Sequence, residues 1–318
     1  MLITAEQERA LKDVSDVVGW CTAAFELLPK EEGAQGQRKF VKIASKYYSD
    51  ILNFSNDQRL VEDIYDEFTA HVAFEFIVDK DDVVKAFDAA RNVTHTRLDI
   101  ECVLDRIPER MTASLVKCAG VEEFVSLTLR YHVPCMAEGL FLSVPERVYK
   151  MLIDSSELPF WEAFASPFNH NCKEYCSPFP QDAVYGSMGR FEDYISALNI
   201  PTRVCINPPY TPRIIASTIR LTIDYINRMS GNCEVIILMS SMYNFEEWDE
   251  LRSFGNTCSE MLSEGMYAIN SFFSEKHIVP PIDLMLVVNI RNSKARSEKM
   301  MREIKELMYS CAMDARGT

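Results

Sequence analysis

The residues with the clearest chemical potential form one short run. Asn207-Pro208-Pro209-Tyr210 follows the apolar stretch Val204-Cys205-Ile206 and precedes a segment of helical periodicity. These types in this order suit methylation of an exocyclic amine. Such a nitrogen is a poor nucleophile because its lone pair is delocalised into the ring. The side-chain oxygen of Asn207 and the carbonyl of Pro208 can accept its two N–H hydrogens, favouring the pyramidal nitrogen that attacks a sulfonium methyl. Successive prolines stiffen the turn that presents both acceptors. Tyr210 can stack on a base, worth about 1–3 kcal/mol per base. The reaction needs no metal and no strong base, since the amine loses its proton after attack. The alternative is a plain strand-ending turn, because prolines commonly stop elements. Placement after an apolar strand favours the chemical reading.

A strand must carry that run, and the surrounding sequence supplies several. From about residue 135, prolines and glycines bound short apolar runs that alternate with helical stretches. Strands are expected at Phe160–Ala165, Arg203–Ile206, Glu234–Ser240 and Ile282–Ile290. Helices are expected at 212–229, 245–254, 256–273 and 293–313. Alternation of this kind predicts a mostly parallel sheet covered on both faces, with ligands bound beyond the carboxyl ends of the strands. Residues 1 to about 130 read differently. Thr4 and Gln7 fit a capping box, and Leu11, Val14, Val18, Cys21 and Phe25 recur at helical spacing. Segments 38–54, 58–78, 80–91 and 110–130 continue the helical pattern, with Asp57 and Asp79 at cap positions.

Composition bounds what this framework can do. The 318 residues are 47% apolar, enough for two domains or one enlarged α/β domain. No stretch approaches the roughly 20 apolar residues of a membrane span, so no membrane partner is expected. The ten cysteines read as thiols, because a chain with this much core does not need covalent staples. His170, Cys172 and Cys176 lack the spacing of common zinc sites, and no metal is expected there. A cysteine hydrolase is disfavoured because nothing sets a Cys beside a His and an orienting partner.

A net charge of −14 excludes a protein that grips nucleic acid over its whole surface. Any phosphate contact must be local. Arg38, Lys39, Lys42 and Lys46 form one basic run, of which Arg38, Lys42 and Lys46 would line one helix face. Arg203, Arg213, Arg220 and Arg228 face Asp224 as the lone acid in residues 201–230. Solvated helix faces carry such charges routinely, so each patch has an equally good structural explanation.

The segment before the Asn-Pro-Pro run narrows the reading. Phe164-Ala165-Ser166-Pro167-Phe168-Asn169, then Glu174-Tyr175-Cys176-Ser177-Pro178-Phe179-Pro180, then Tyr185-Gly186-Ser187-Met188-Gly189 precede it. In order and spacing these blocks resemble the cap-specific mRNA adenosine N6-methyltransferases, the family named for interaction with the phosphorylated tail of RNA polymerase II. The resemblance covers about residues 130–255. Tyr210 stands where the family usually has Phe, a change that stacking should survive. Its WW module is not expected, because Trp20, Trp161 and Trp248 lie too far apart.

The resemblance implies a Rossmann-like class I methyltransferase core at 131–318, preceded by an all-helical domain at 1–130. It implies S-adenosyl-L-methionine as cofactor and the cap-adjacent adenosine of RNA as substrate. Asn207, Pro208, Pro209 and Tyr210 would hold the target adenine. Ser166, Pro167, Phe168 and Asn169 would replace the glycine-rich cofactor loop, explaining the lack of a Gly-x-Gly-x-x-Gly. Phe179, Pro180, Asp182, Gly186 and Ser187 would complete the cofactor pocket, with Asp182 a partner for the ribose or the methionine amine. Arg38, Lys42 and Lys46, or Arg213 and Arg220, would meet phosphates of the capped end, with the two domains closing on it. A nuclear location follows from the same resemblance, and the acidic surface leaves room for a protein partner that offsets it. Two alternatives remain: methylation of adenine in DNA or internal RNA, and a non-catalytic scaffold that keeps the fold.

Overall fold

A computed structural model of the chain describes residues 4–28, 36, 39–40, 43–44, 47, 58–90, 99–104, 107, 109–136, 142–156, 158–198, 200, 202–209, 212–241, 246–263, 266–267, 269–271, 277–278 and 283–316. They divide into two compact units, Met1–Leu140 and Phe141–Thr318. The break falls beyond the helix that crosses position 130, so it lies later than the boundary read from the sequence.

In the first unit, the described helices are α1 (Ala5–Leu27), α2 (Gln58–Phe76), α3 (Lys80–Ala90), α4 (Ile100–Leu104), α5 (Glu109–Ala119) and α6 (Val121–Met136). The capping box forms: the Thr4 hydroxyl accepts from the Gln7 N–H at 3.2 Å, and Gln7 Oε1 accepts from the Thr4 N–H at 2.9 Å. Asp79 caps α3 by accepting the Asp81 N–H at 2.8 Å, which satisfies one of the donors a helix start leaves open. Phe25, Phe40, Phe68, Phe76 and Phe87 pack together as the unit's core, with Phe40 stacked on Phe87 at 5.6 Å. The single helix expected over 110–130 is two, because Gly120 at φ +88° stops α5 before α6 begins. Asp57 and most of the segment 38–54 lie outside the described residues.

In the second unit, β1 (Leu142–Ser143), α7 (Glu146–Asp154), β2 (Phe160–Glu162), a 3-10 turn (Pro180–Tyr185), α8 (Phe191–Ala197), β3 (Arg203–Ile206), α9 (Pro212–Arg228) and β4 (Glu234–Ser240) come first. Then follow α10 (Glu246–Ser253), β5 (Thr257–Leu262), β6 (Ile269–Ser271), β7 (His277–Ile278), β8 (Leu284–Ile290) and α11 (Lys294–Arg316). The main sheet has strand order β2-β3-β4-β8-β5, and a small sheet has order β1-β6-β7. β2, β3 and β4 are parallel. β8 runs against β4 and β5 on either side of it, so β5 points the same way as the parallel set.

β3, β4 and β8 are buried along their whole length, which is why they read as continuous apolar runs rather than alternating ones. One face packs Val204, Ile206, Val235 and Ile237 against Ile195, Ile215, Ile219 and Leu251 of α8, α9 and α10. The other packs Ile236, Leu238, Leu286 and Val288 against Val148, Leu152, Met300 and Ile304 of α7 and α11. This mixed α/β unit thus covers its sheet with helices on both faces. The helix expected over 256–273 is instead β5 and β6. Thr257 to Leu262 pair with β8 along the edge of the sheet, and tertiary pairing overrides the local helical pattern. Phe160–Ala165 forms a strand only to Glu162, after which the chain turns.

Candidate functional site

The carboxyl ends of β2 and β3 lie side by side. Glu162 is in parallel register with Cys205, and the Ala163 N–H donates to the Cys205 carbonyl at 2.9 Å. The two segments that follow, 163–169 and 207–209, therefore leave the sheet at neighbouring points, where strand spacing is about 5 Å. Bridges from Glu162 to Tyr175 and from Tyr175 to Ser187 extend the sheet outward from β2. The Ala165 N–H donates to the Cys176 carbonyl at 2.9 Å and the Ser177 N–H to the Gly189 carbonyl at 3.0 Å. Residues 162–189 thus form one folded edge, and the segments 166–169, 179–182 and 186–187 all belong to it.

The turn after β2 closes on itself. Asn169 Oδ1 accepts both the Ser166 N–H and the Ser166 hydroxyl at 2.8 Å. The Ser166 hydroxyl in turn accepts from the Phe168 N–H at 3.2 Å. Ser166 and Phe168 are buried, as is Pro167. A turn without glycine holds its backbone through these side-chain bonds.

Across the folded edge, Ser177 and Ser187 share a hydroxyl hydrogen bond of 2.7 Å. The backbone carbonyl of Asp182 accepts from the Ser187 N–H at 3.3 Å. Asp182 itself is fully buried, whereas Pro180 and Gly186 face solvent and Phe179 is half-buried. Gly186 sits at φ +99° as the left-handed cap of the 3-10 turn, a conformation that favours glycine.

Asn207 is 9% exposed. Its Nδ2–H donates to the Leu142 carbonyl at 2.9 Å. Pro208 is buried and Pro209 half-buried. Tyr210 lies outside the described residues, as do Arg38, Lys42 and Lys46.

Between the two turns lies a residue the sequence reading passed over. Glu162 is 1% exposed and accepts the Tyr149 hydroxyl at 2.5 Å and the Asn171 N–H at 2.9 Å. Burial pushes its carboxyl up to about 7 despite these donors. Burial also pushes the Tyr149 hydroxyl upward, and the Cys205 thiol to about 12. Glu162 therefore ties Asn171, two residues past the closed turn, to the end of β2. The available signal was a lone acid inside the apolar run Phe160-Trp161-Glu162-Ala163-Phe164.

The arginines of 201–230 do not form one surface patch. Arg203 is fully buried, and Arg228 donates to the carbonyls of Ser196 and Ile195 at 2.7 and 2.8 Å. Arg220 is exposed and paired with Glu247 at 2.9 Å, and Arg213 is half-buried. The patch thus loses Arg203 to the interior, for a reason the sequence conceals: its partner Glu234 lies on the next strand. Cys172 and Cys176 are buried free thiols, pushed upward by burial. The His170 ring stacks on Tyr175 at 4.4 Å. Among the described residues, no group of three or more His, Cys, Asp or Glu could hold a metal ion, and no helix is long and apolar enough to cross a membrane.

Comparison with known proteins adds a similarity to one family. Residues 121–269 match the family model described as the phosphorylated CTD interacting factor 1 WW domain. The matched stretch runs from α6 to the first residue of β6 and contains both turns of the site. A search of curated proteins finds no match. Among solved structures, a candidate methyltransferase of Escherichia coli, yhhF, aligns over 45% of this chain and 85% of its own, at 9% identity. Its TM-score is 0.28, too low to rest anything on.

Proposed function

We propose that this chain, similar over residues 121–269 to the phosphorylated CTD interacting factor 1 family, is an S-adenosylmethionine-dependent methyltransferase. Its target is N6 of the cap-adjacent adenosine of RNA, and its second unit is a Rossmann-like class I core. One observation carries the reading. The Asn-Pro-Pro turn and the closed Ser166–Asn169 turn leave adjacent parallel strands at the same end of the sheet, where open α/β sheets bind ligands.

The residues present fit the cofactor by placement. Phe179, Pro180 and Gly186 offer an accessible surface on the folded edge. Ser166, Pro167, Phe168, Asn169 and Ser187 shape that edge through their own hydrogen bonds and packing. Asp182, fully buried, braces the 3-10 turn, and it meets a ribose or amine only if that turn opens. When bound, S-adenosylmethionine supplies an electrophilic methyl group on a sulfonium.

Asn207 Oδ1 and the Pro208 carbonyl accept the two hydrogens of the target amine and turn its lone pair toward that methyl. With the cofactor held on that edge, the amine so oriented would receive its methyl group, and the surplus proton would pass to solvent. Tyr210 stacks on the adenine. Pro208 and Pro209 keep the two acceptors in register without an entropic cost at each turnover. Arg213, and Arg220 after exchanging Glu247 for a phosphate, contact the RNA backbone; the exposed Arg220–Glu247 pair is weak enough to permit that exchange. Arg38, Lys42 and Lys46 are the further basic residues proposed for phosphate contact.

Mass spectrometry of capped RNA beginning with adenosine, after incubation with protein and cofactor, tests this directly. N6-methyladenosine is expected with the wild-type chain. Asn207→Ala should lose about 10²–10³-fold in rate, the usual cost of removing one such acceptor or donor, while its circular dichroism stays that of the wild type. Equal methylation of capped and uncapped RNA rejects the cap, and transfer to DNA alone moves the substrate. Failure to bind S-adenosylmethionine in a calorimeter leaves a scaffold.

A further inference from the structure

Asn207 is held by an element that neither the sequence motif nor the family match assigns to the site. Its Nδ2–H donates to the backbone carbonyl of Leu142 at 2.9 Å, and the orientation of the amide is not arbitrary. A carbonyl can only accept, so the atom facing Leu142 must be the nitrogen, and the oxygen must occupy the other branch. Leu142 is itself fixed. Its strand pairs with β6, Leu142 opposite Ser271, and β6 pairs with β7. Ser143 and Val144, which follow it, are buried, and Val144 belongs to the core beneath α7. Among the described strands β1 has a neighbour on one edge only, and the Leu142 carbonyl accepts from Asn207.

We infer that β1 is a positioning element of the site: the Leu142 carbonyl fixes which end of the Asn207 amide faces the reacting amine. This chain therefore requires asparagine, and rejects ionised aspartate, at that position. The inference rests on the proposed methyl transfer for its kinetic part alone. The chemistry that selects asparagine is simple. An acceptor toward the target amine is supplied equally well by Asn or Asp. A donor toward Leu142 is supplied by Asn, or by Asp only while it is protonated. An ionised carboxylate would set an anionic oxygen against the carbonyl oxygen at a position 9% exposed. The proton is therefore retained, and the pKa of an aspartate there rises above its ordinary value of about 3.9.

The test compares Asn207→Asp with wild type and with Asn207→Ala, reading methyl transfer to capped RNA beginning with adenosine and thermal melting, each from about pH 5 to about pH 9. In the rate arm, the ratio of Asn207→Asp to wild type is expected to fall about tenfold per pH unit above the raised pKa, following the protonated fraction. Below that value it should level off. In the melting arm, a raised folded-state pKa means the variant's proton-linked stability is full below the unfolded value and lost as pH rises through the folded value. Its melting temperature should thus drop relative to wild type with rising pH, while Asn207→Ala, which has no charge to expel, should show a constant offset.

A rate ratio that stays flat with pH overturns the inference, whether the variant is active or dead. So does a variant that melts like wild type at every pH, or one that folds at no pH where Asn207→Ala folds. Should the wild-type chain methylate no adenosine substrate, the proposed function fails, and the melting arm still decides whether the Leu142 carbonyl selects the amide.

Discussion

β2, β3 and β4 begin and end in opposite kinds of chemistry. At their amino ends a charged network crosses the sheet. Arg203 donates to Glu234 at 2.8 Å, to the Ser155 hydroxyl at 2.6 Å, to the Leu158 carbonyl at 3.4 Å and to the Leu152 carbonyl. Arg296 approaches Glu234 from α11, and Phe160 lies 5.2 Å beneath the guanidinium. At their carboxyl ends the groups are amides, hydroxyls and a carboxyl held near neutrality. Both ends are buried, yet only the first joins full charges across strands. The difference sets what a broken contact leaves behind: an uncompensated buried charge at the amino ends, and an unmet hydrogen bond at the carboxyl ends.

The largest expected effect breaks the clamp. Arg203→Ala strips Glu234 of its innermost partner and removes one donor from each of the Leu152 carbonyl, the Leu158 carbonyl and the Ser155 hydroxyl. Removing one member of a buried pair costs about 3–5 kcal/mol, which a urea titration should register as a lower midpoint. Methyl transfer per folded molecule should be unchanged. A loss below about 1 kcal/mol, the range of exposed pairs, would mean the network is not the clamp described here.

The next effect belongs to the opposite end and depends on pH. Glu162 is raised from 4.5 to about 7 by burial. A group whose folded pKa exceeds its unfolded one contributes stability that is complete below the unfolded value and lost as pH rises through the folded value. Stability should therefore decline by on the order of 3 kcal/mol between about pH 4.5 and about pH 7 through this residue. Glu162→Gln keeps an acceptor for the Asn171 N–H, turns an N–H toward the Tyr149 hydroxyl, which can accept it, and cannot ionise, so its stability curve should be flat across that window. A wild-type curve as flat as the variant's would show that Glu162 does not carry the effect.

How much of this could be read beforehand follows from what each contact is made of. β3, β4 and β8 are legible because burial on both faces writes a continuous apolar run. β5 is not, because an edge strand buried only at its ends, Thr257 and Leu262, carries no period, and its true signal is a partner strand far along the chain. The Asn-Pro-Pro run is legible as the end of β3 because prolines stop elements. Its support by Leu142 is not, since a backbone carbonyl has no sequence identity. Arg203 misleads for the same reason in reverse: a charge reads as surface until Glu234 is placed beside it. Glu162 was visible as an anomaly within an apolar run, although its partners Tyr149 and Asn171 were not.

Two asparagines at the carboxyl end sharpen the contrast further. Asn169 accepts from Ser166 twice through its oxygen, whereas the Asn207 amide donates to the Leu142 carbonyl through its nitrogen. Asn169→Ala leaves a part-buried N–H and hydroxyl without their acceptor, costing about 1–3 kcal/mol, and should weaken S-adenosylmethionine binding in a calorimetric titration. Asn169→Asp retains the acceptor and should recover most of the stability. Destabilisation by Asp equal to that by Ala would mean the oxygen contact is not what holds the turn.

The smallest expected effect comes from Gly186, where the folded edge reverses after the 3-10 turn. A Cβ there would meet the Lys173 carbonyl at 3.6 Å and the Tyr175 ring at 3.9 Å, ordinary contact distances, so steric clash is not the issue. The cost lies in φ +99°, which an L side chain adopts at a penalty of roughly 1–2 kcal/mol. Gly186→Ala should therefore lower stability by about that amount. Because Ser187, the next residue, anchors Ser177 at 2.7 Å, it should also loosen the folded edge proposed for the cofactor. Hydrogen exchange at the amides of Ser177 and Met188 separates these outcomes. Faster exchange there with α9 unchanged places the effect in the edge alone, and uniform acceleration would show that the turn and the sheet unfold as one unit.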